Sequence, residues 1–300
     1  MPSAAPPVLD APPAAVPVTG SARREALRRF AEHRLALAGI AVLVLIVALA
    51  VFAPLVAPDG PTAIDLDAVN QPPGDGHLLG TDDVGRDVWA RLVYGARTSL
   101  AVGLGAVAIA LLVGTSVGLA AGYLGRWVDA TLMRVTDAVM SVPPLLMVIV
   151  FVAIAGPSLT SIIVVIALTT WPTTARLVRA QVLSLREREF IVAARVIGAS
   201  GRRIVTSHLL PNLLGPLSVV GTFGVANAIL VEAGLSFLGL GVRPPTPSWG
   251  QMVNAAQSPE VLIDRPWIWV PPGIAIGLVV LSVNFIGDGL RDALDPRSER

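Results

Sequence analysis

Long stretches of the chain carry no charge, and their lengths sort them into membrane spans. Leu35–Ala57 runs 23 residues without a charged side chain, Thr98–Gly125 runs 28, and Ala138–Ala175 runs 38. A helix needs about 20 apolar residues to cross the hydrocarbon core. The 38-residue run is therefore too long for one helix, and it is expected to break at Gly156-Pro157-Ser158 into a third and a fourth span. Leu209–Val231 and Pro266–Gly287 supply a fifth and a sixth. The pattern predicts an all-α polytopic membrane protein with six transmembrane helices. Pro143 and Pro144 are expected to kink the third helix near its inner end. Trp267 and Trp269 open the sixth where an aromatic belt belongs. The first run is longer than the roughly 7–15 residues of a signal-peptide core. Its one Ala-x-Ala, Ala48 to Ala50, lies inside the run, so it is expected to remain as a helix.

The segments between the spans complete the layout. Residues 1–20 hold six prolines and are expected to form a disordered tail. Residues 21–34 form a basic amphipathic helix capped by Ser21, and 35–57 the first transmembrane helix. Residues 58–97 form an extracytoplasmic loop, 98–290 a five-helix core, and 291–300 a tail. Only 14% of the 300 residues are charged, against roughly 25% in soluble domains, and mean hydropathy is +0.71. With the N-terminus inside, the inner segments hold 17 of the 22 arginines and the outer segments five. The positive-inside rule therefore puts both termini in the cytoplasm. There is no cysteine and no lysine, which excludes disulfides, thiol chemistry, a Walker A lysine and a Schiff base. If ATP drives this protein, another chain binds it.

Small and polar residues inside this frame have plain structural readings. Gly114, Gly118 and Gly122 share one helix face, where they allow close helix packing. Asp82, Asp83 and Asp87 do not follow EF-hand spacing. With Arg86 they are read as a solvated acidic loop suited to contact with an external protein. Arg134 and Asp137, three residues apart, are placed to pair with each other. His33, His77 and His208 fall at three separate sites and do not converge on a metal; His208 is a helix-end residue. Glu232 lies at the outer end of the fifth span and is of functional interest if it faces a pathway. Gly234-Leu-Ser236-Phe-Leu does not form a nucleophile elbow, and no catalytic constellation is visible.

The polar segment "FIVAARVIGASGRRIVTSHLLPN", Phe190 to Asn212, stands apart. Phe190, Ala193, Ala194 and Ile197 are spaced as one apolar stripe, with Arg195 off it. Gly198 offers a left-handed C-terminal cap, Ala199 follows it, and Ser200 caps the next helix. The product is a short cytoplasmic helix ending in a glycine corner. Its stripe suits either a groove in another protein or the lipid headgroup layer.

The same segment resembles the EAA loop of ABC importer permeases, whose pattern is E-A-A-x3-G-x9-I-x-L-P. Ala193, Ala194, Gly198, Leu210 and Pro211 match; Val192 stands for the glutamate and His208 for the isoleucine. His77–Leu100, Asp129–Leu146, Glu232–Val253 and Asn284–Arg297 resemble, in order, segments of the C-type permeases of dipeptide and oligopeptide importers. The resemblance implies a type I ABC importer permease fold, with 186–211 as the segment coupled to an ATPase. It further implies a second permease subunit forming a heterodimer, two ATP-binding subunits that hold ATP and magnesium, and an extracytoplasmic solute-binding protein. No cofactor belongs to this chain, and no nucleic acid is expected. A nickel-importer permease of the same family is the nearest alternative substrate reading. An intramembrane hydrolase and an ATP-independent channel are the alternatives of other classes.

Overall fold

A computed structural model describes residues 21–74 and 76–294, with the side chains of 21–24 and 26 set aside. The expected disordered tail, 1–20, and residues 295–300 lie outside the described residues. The described chain is helical, and its only β-pairings are two isolated bridges, Gly74 with His77 and Thr81 with Asp87.

Helix α1, Ser21–Glu32, leads into α2, Arg34–Val51, at His33. The His33 Nδ1 accepts the Ala36 amide at 3.1 Å and starts the first apolar helix. Helix α3 covers Val88–Leu124. It begins within 58–97, the stretch assigned to the outer loop from charge. Its charges do not end the helix because each is satisfied in place. Asp87 caps it by accepting the Ala90 amide at 2.7 Å, Arg91 pairs with Asp82 at 2.7 Å, and Arg97 donates to the carbonyls of Ala50 and Val51 at the end of α2.

The third span differs from the sequence expectation. In place of one kinked helix, α4, Arg126–Met140, and α5, Pro144–Ala155, meet at 82°. Pro143 and Pro144 remove two backbone donors and force extended backbone before them. Helix α5 has 12 residues, about 18 Å at 1.5 Å per residue, short of a hydrocarbon core of about 30 Å. The described residues thus contain five helices long and apolar enough to cross a membrane, and a sixth span if the bent pair counts as one.

Helix α6, Leu159–Leu185, follows the Gly156 turn. It leads to α7, Glu189–Val196, and then to α8, Gly201–Phe237, which contains a π-helical turn at Val205–Leu209. On the outer side, α9, Trp249–Asn254, and α10, Pro259–Asp264, precede α11, Pro266–Leu294.

Small residues set the helix approaches. A Cβ at Gly114 would lie 2.6 Å from Thr174 Cβ, one at Gly118 2.5 Å from the Ala175 carbonyl, and one at Gly122 2.8 Å from Val182 Cβ. Helix α3 therefore meets α6 nearly backbone to backbone. The same device joins α2 to α11, where a Cβ at Gly39 would lie 2.6 Å from the Ser282 carbonyl. In lipid such contacts supply the dispersion attraction that hydrophobic drive cannot. Val102, Ala106, Val148, Val152, Ile162, Val165 and Ile166 fill the centre between α3, α5 and α6.

Candidate functional site

Helix α7 is held by one face and open on the other. Ile191 is buried against Val178, Val182, Ile204, Leu209 and Leu213 of α6 and α8, and Ala194 is buried as well. Its C-terminus closes as a Schellman motif: Ala199 N–H donates to the Ala194 carbonyl at 3.0 Å and Gly198 N–H to Arg195 at 3.1 Å. Gly198 has φ +85°, the left-handed value that this motif requires. Ser200 Oγ then accepts the Arg203 amide at 3.4 Å and starts α8. The Phe190 ring lies 6.3 Å from the His208 ring at a tilt of 48°, so the two ends of the elbow touch. Leu210 is half-buried and Pro211 exposed in the first turns after the π segment.

The expected stripe needs one correction. Ala194 faces the protein's own interior with Ile191. The exposed apolar face consists of Phe190, Val192, Ala193, Val196 and Ile197, the last 84% exposed. The sequence pattern allowed this face, but the i, i+3, i+4, i+7 template drew it through Ala194 because burial on the inner side cannot be seen from spacing. Arg195 is exposed beside it.

Ion pairs brace the end of the helices that carries α7. Arg179 Nε and Nη2 donate to the Asp129 carboxylate at 2.5 and 2.6 Å, and Arg176 donates to Asp137 at 2.6 Å. Asp137 thus pairs across helices with Arg176, not locally with Arg134. Arg186 donates to the Gly122 carbonyl at 3.2 Å and links the approach to α7 with the end of α3.

The outer face carries a second built structure. In contrast to the solvated loop that the run of aspartates predicts, Asp82 is buried. Its Oδ1 accepts the Val84 and Arg86 amides, and its Oδ2 accepts Arg86 Nε at 2.8 Å and Arg91 Nη1 at 2.7 Å. Arg86 is mostly buried by the same pairing, while Asp83 stays 70% exposed. Asp87 is occupied by the Ala90 amide and by His77 Nδ1 at 2.9 Å. Glu232 is fully buried. It accepts Ser236 Oγ at 2.8 Å and Ser99 Oγ at 3.3 Å, and Ser99 in turn accepts the Trp249 amide at 3.2 Å. This network ties α9 to α3 and α8, and it is not legible from local pattern because its cross-helix members lie 133 and 150 residues apart.

The described residues thus combine apolar helices long enough to cross a membrane, a glycine-cornered elbow and a hydrogen-bonded cap at the opposite end. The chain belongs to the family of binding-protein-dependent transport system inner membrane components, whose model matches residues 114–300. The model for the N-terminal transmembrane domain of oligopeptide transport permease C matches residues 21–73. A Brucella suis protein whose name places it among peptide permeases is 48% identical over 94% of this chain and 93% of its own length. The dipeptide transport system permease protein DppC of Alkalihalophilus pseudofirmus is 45% identical over 91% of this chain and 90% of its own. Two structures of the inward-facing methionine ABC transporter MetNI match with TM-scores of 0.54 and 0.55 at 21% identity, covering 68% of this chain and 96% of theirs. That likeness gives the fold, the type I ABC importer permease architecture. The protein is a multi-pass component of the inner membrane.

Proposed function

We propose that this chain is the peptide-conducting permease subunit of an ATP-driven importer and that α7 is the handle through which ATP does work on it. The observation that carries the reading is a short helix fixed by Ile191 and Ala194 on one side and left apolar and open on the other. An exposed apolar ridge on a rigid elbow fits a groove in a second protein. Within this reading Phe190, Ala193 and Ile197 seat in an ATP-binding subunit. Arg195 reaches its rim, and the Gly198–Ala199–Ser200 corner passes the motion into α8. Leu210 and Pro211 transmit it past the π-helical turn. Two such ATPase subunits hold ATP and magnesium, a second permease completes the pathway, and an extracytoplasmic binding protein delivers the substrate to the outer cap. The peptide substrate rests on what the curated relatives are named for. Coupling requires that the ATP-closed ATPase pair favour one permease state over the other.

The test is reconstitution with the partner subunits and measurement of peptide-stimulated ATPase activity. Gly198→Val adds a Cβ that meets nothing within 4 Å, so it acts through the backbone alone, at about 1–2 kcal/mol for a left-handed residue. It is expected to abolish ATP-driven uptake while membrane insertion persists. Ile197→Asp is expected to lose the ATPase subunit on purification. Full peptide-stimulated turnover in both variants would end the coupling assignment.

A further inference from the structure

We propose that the groove between the cytoplasmic ends of α3 and α8 binds an anionic phospholipid of the inner leaflet. The groove encloses about 420 Å3. Leu119, Ala120 and Leu124 form one wall, Val205 and Thr206 the other, and Arg202 stands at the rim. The walls are apolar in practice, because the Thr206 hydroxyl is turned back to the Arg202 carbonyl at 2.9 Å. The Tyr123 hydroxyl lies at the floor, 3.0 Å from where a Cβ of Gly201 would sit, and is the one side-chain polar group there besides Thr206.

The wall on α8 is the π-helical turn Val205–Leu209, closed by the Leu210 amide on the Val205 carbonyl. Pro211 lacks an N–H and crowds the carbonyl one turn earlier, which widens the helix here. Such π turns gather at functional positions. Arg202 and Arg203 are exposed, and among the described residues neither has an ion-pair partner.

The charge and the depth select the occupant. The groove lies where α3 ends and α8 begins, and the arginine asymmetry of the chain places that end of both helices toward the inner leaflet. A soluble ligand would need several polar partners in the walls, and apart from the Tyr123 hydroxyl at the floor these offer none. An acyl chain meets the apolar walls while its phosphate meets the guanidinium at the rim, the arrangement by which basic pockets between helices hold anionic headgroups. The site shares no residue with the exposed face of α7.

The full-length chain in phosphatidylcholine vesicles doped with photoactivatable phosphatidylglycerol or photoactivatable phosphatidylcholine tests this, with adducts mapped by mass spectrometry. Phosphatidylglycerol adducts are expected on 119–124 and 201–206 in clear excess over phosphatidylcholine, unaffected by inorganic phosphate. Arg202→Gln and Arg203→Gln should each cut that excess about fivefold. Ala120→Phe should remove the adducts while leaving the rim charge in place. Should Ala120→Phe fail to fold, the two exposed arginine variants still decide the matter. Equal labelling by the two lipids, indifference to the arginine changes, or displacement by inorganic phosphate overturns the proposal. So does labelling of a partner protein from a photoreactive residue at 205.

Discussion

Asp82 gathers four donors into a space with 5% exposure, and Arg91 beside it is 6% exposed. Taking away one member of such a buried pair strands the other charge, at about 3–5 kcal/mol. Asp82→Ala is therefore expected to lower the unfolding temperature of the purified chain markedly and to expose 58–87 to protease. Asp82→Leu combined with Arg91→Met should recover only part of the loss: it removes the stranded Arg91 charge, but Arg86 Nε and the Val84 and Arg86 amides still lose their acceptor. An unchanged melting temperature in Asp82→Ala would show that the pair contributes nothing. This pairing was not legible in the sequence. Three aspartates within six positions read as a solvated run, and the partner arginine sits inside what charge counting assigned to the loop. Asp137 misled in the same way: the local i, i+3 rule named Arg134, and tertiary packing brought Arg176 within 2.6 Å instead.

At the level of elements, the legible features are those with a short period. The Gly114, Gly118, Gly122 repeat announces a close helix contact, and the structure supplies the neighbour, α6. A side chain at Gly118 has no room: its Cβ would sit 2.5 Å from the Ala175 carbonyl and 2.6 Å from Val178 Cβ, both on a packed helix. Gly118→Val is expected to cost about 1–3 kcal/mol or more by forcing the helices apart, read as lower yield and melting temperature. Gly234 is the matched control, since a Cβ there meets nothing within 4 Å. Gly234→Ala should be neutral or stabilise by up to about 1 kcal/mol, the helix-propensity gain. Equal effects at both positions would remove the packing explanation. The bent third span marks the limit of pattern reading. The Pro143-Pro144 pair announces a break, but its 82° angle depends on α4 being drawn onto α6 by Asp129 and Asp137, contacts across some 40 to 50 residues.

For the whole molecule, orientation decides whether the proposed mechanism has a place to act. Arginine asymmetry makes that orientation readable from sequence, because translocating guanidinium groups is costly and each inner segment carries its own. The same field logic puts the elbow of α7 and the lipid groove on one side, and Asp82, Glu232 and α9 on the other. The absence of cysteine makes this directly measurable. Ile197→Cys and Asp83→Cys each place a single thiol on an exposed position, 84% and 70% open. A membrane-impermeant maleimide applied to intact spheroplasts is expected to label Asp83→Cys at once and Ile197→Cys only after permeabilisation. Overexpressed ATPase subunits should then slow labelling of Ile197→Cys without touching Asp83→Cys, because one thiol lies under the proposed contact and the other across the bilayer. Labelling of Ile197→Cys from outside would put the apolar ridge beyond the reach of any nucleotide-binding partner. The transport reading would then have no route by which ATP moves α8.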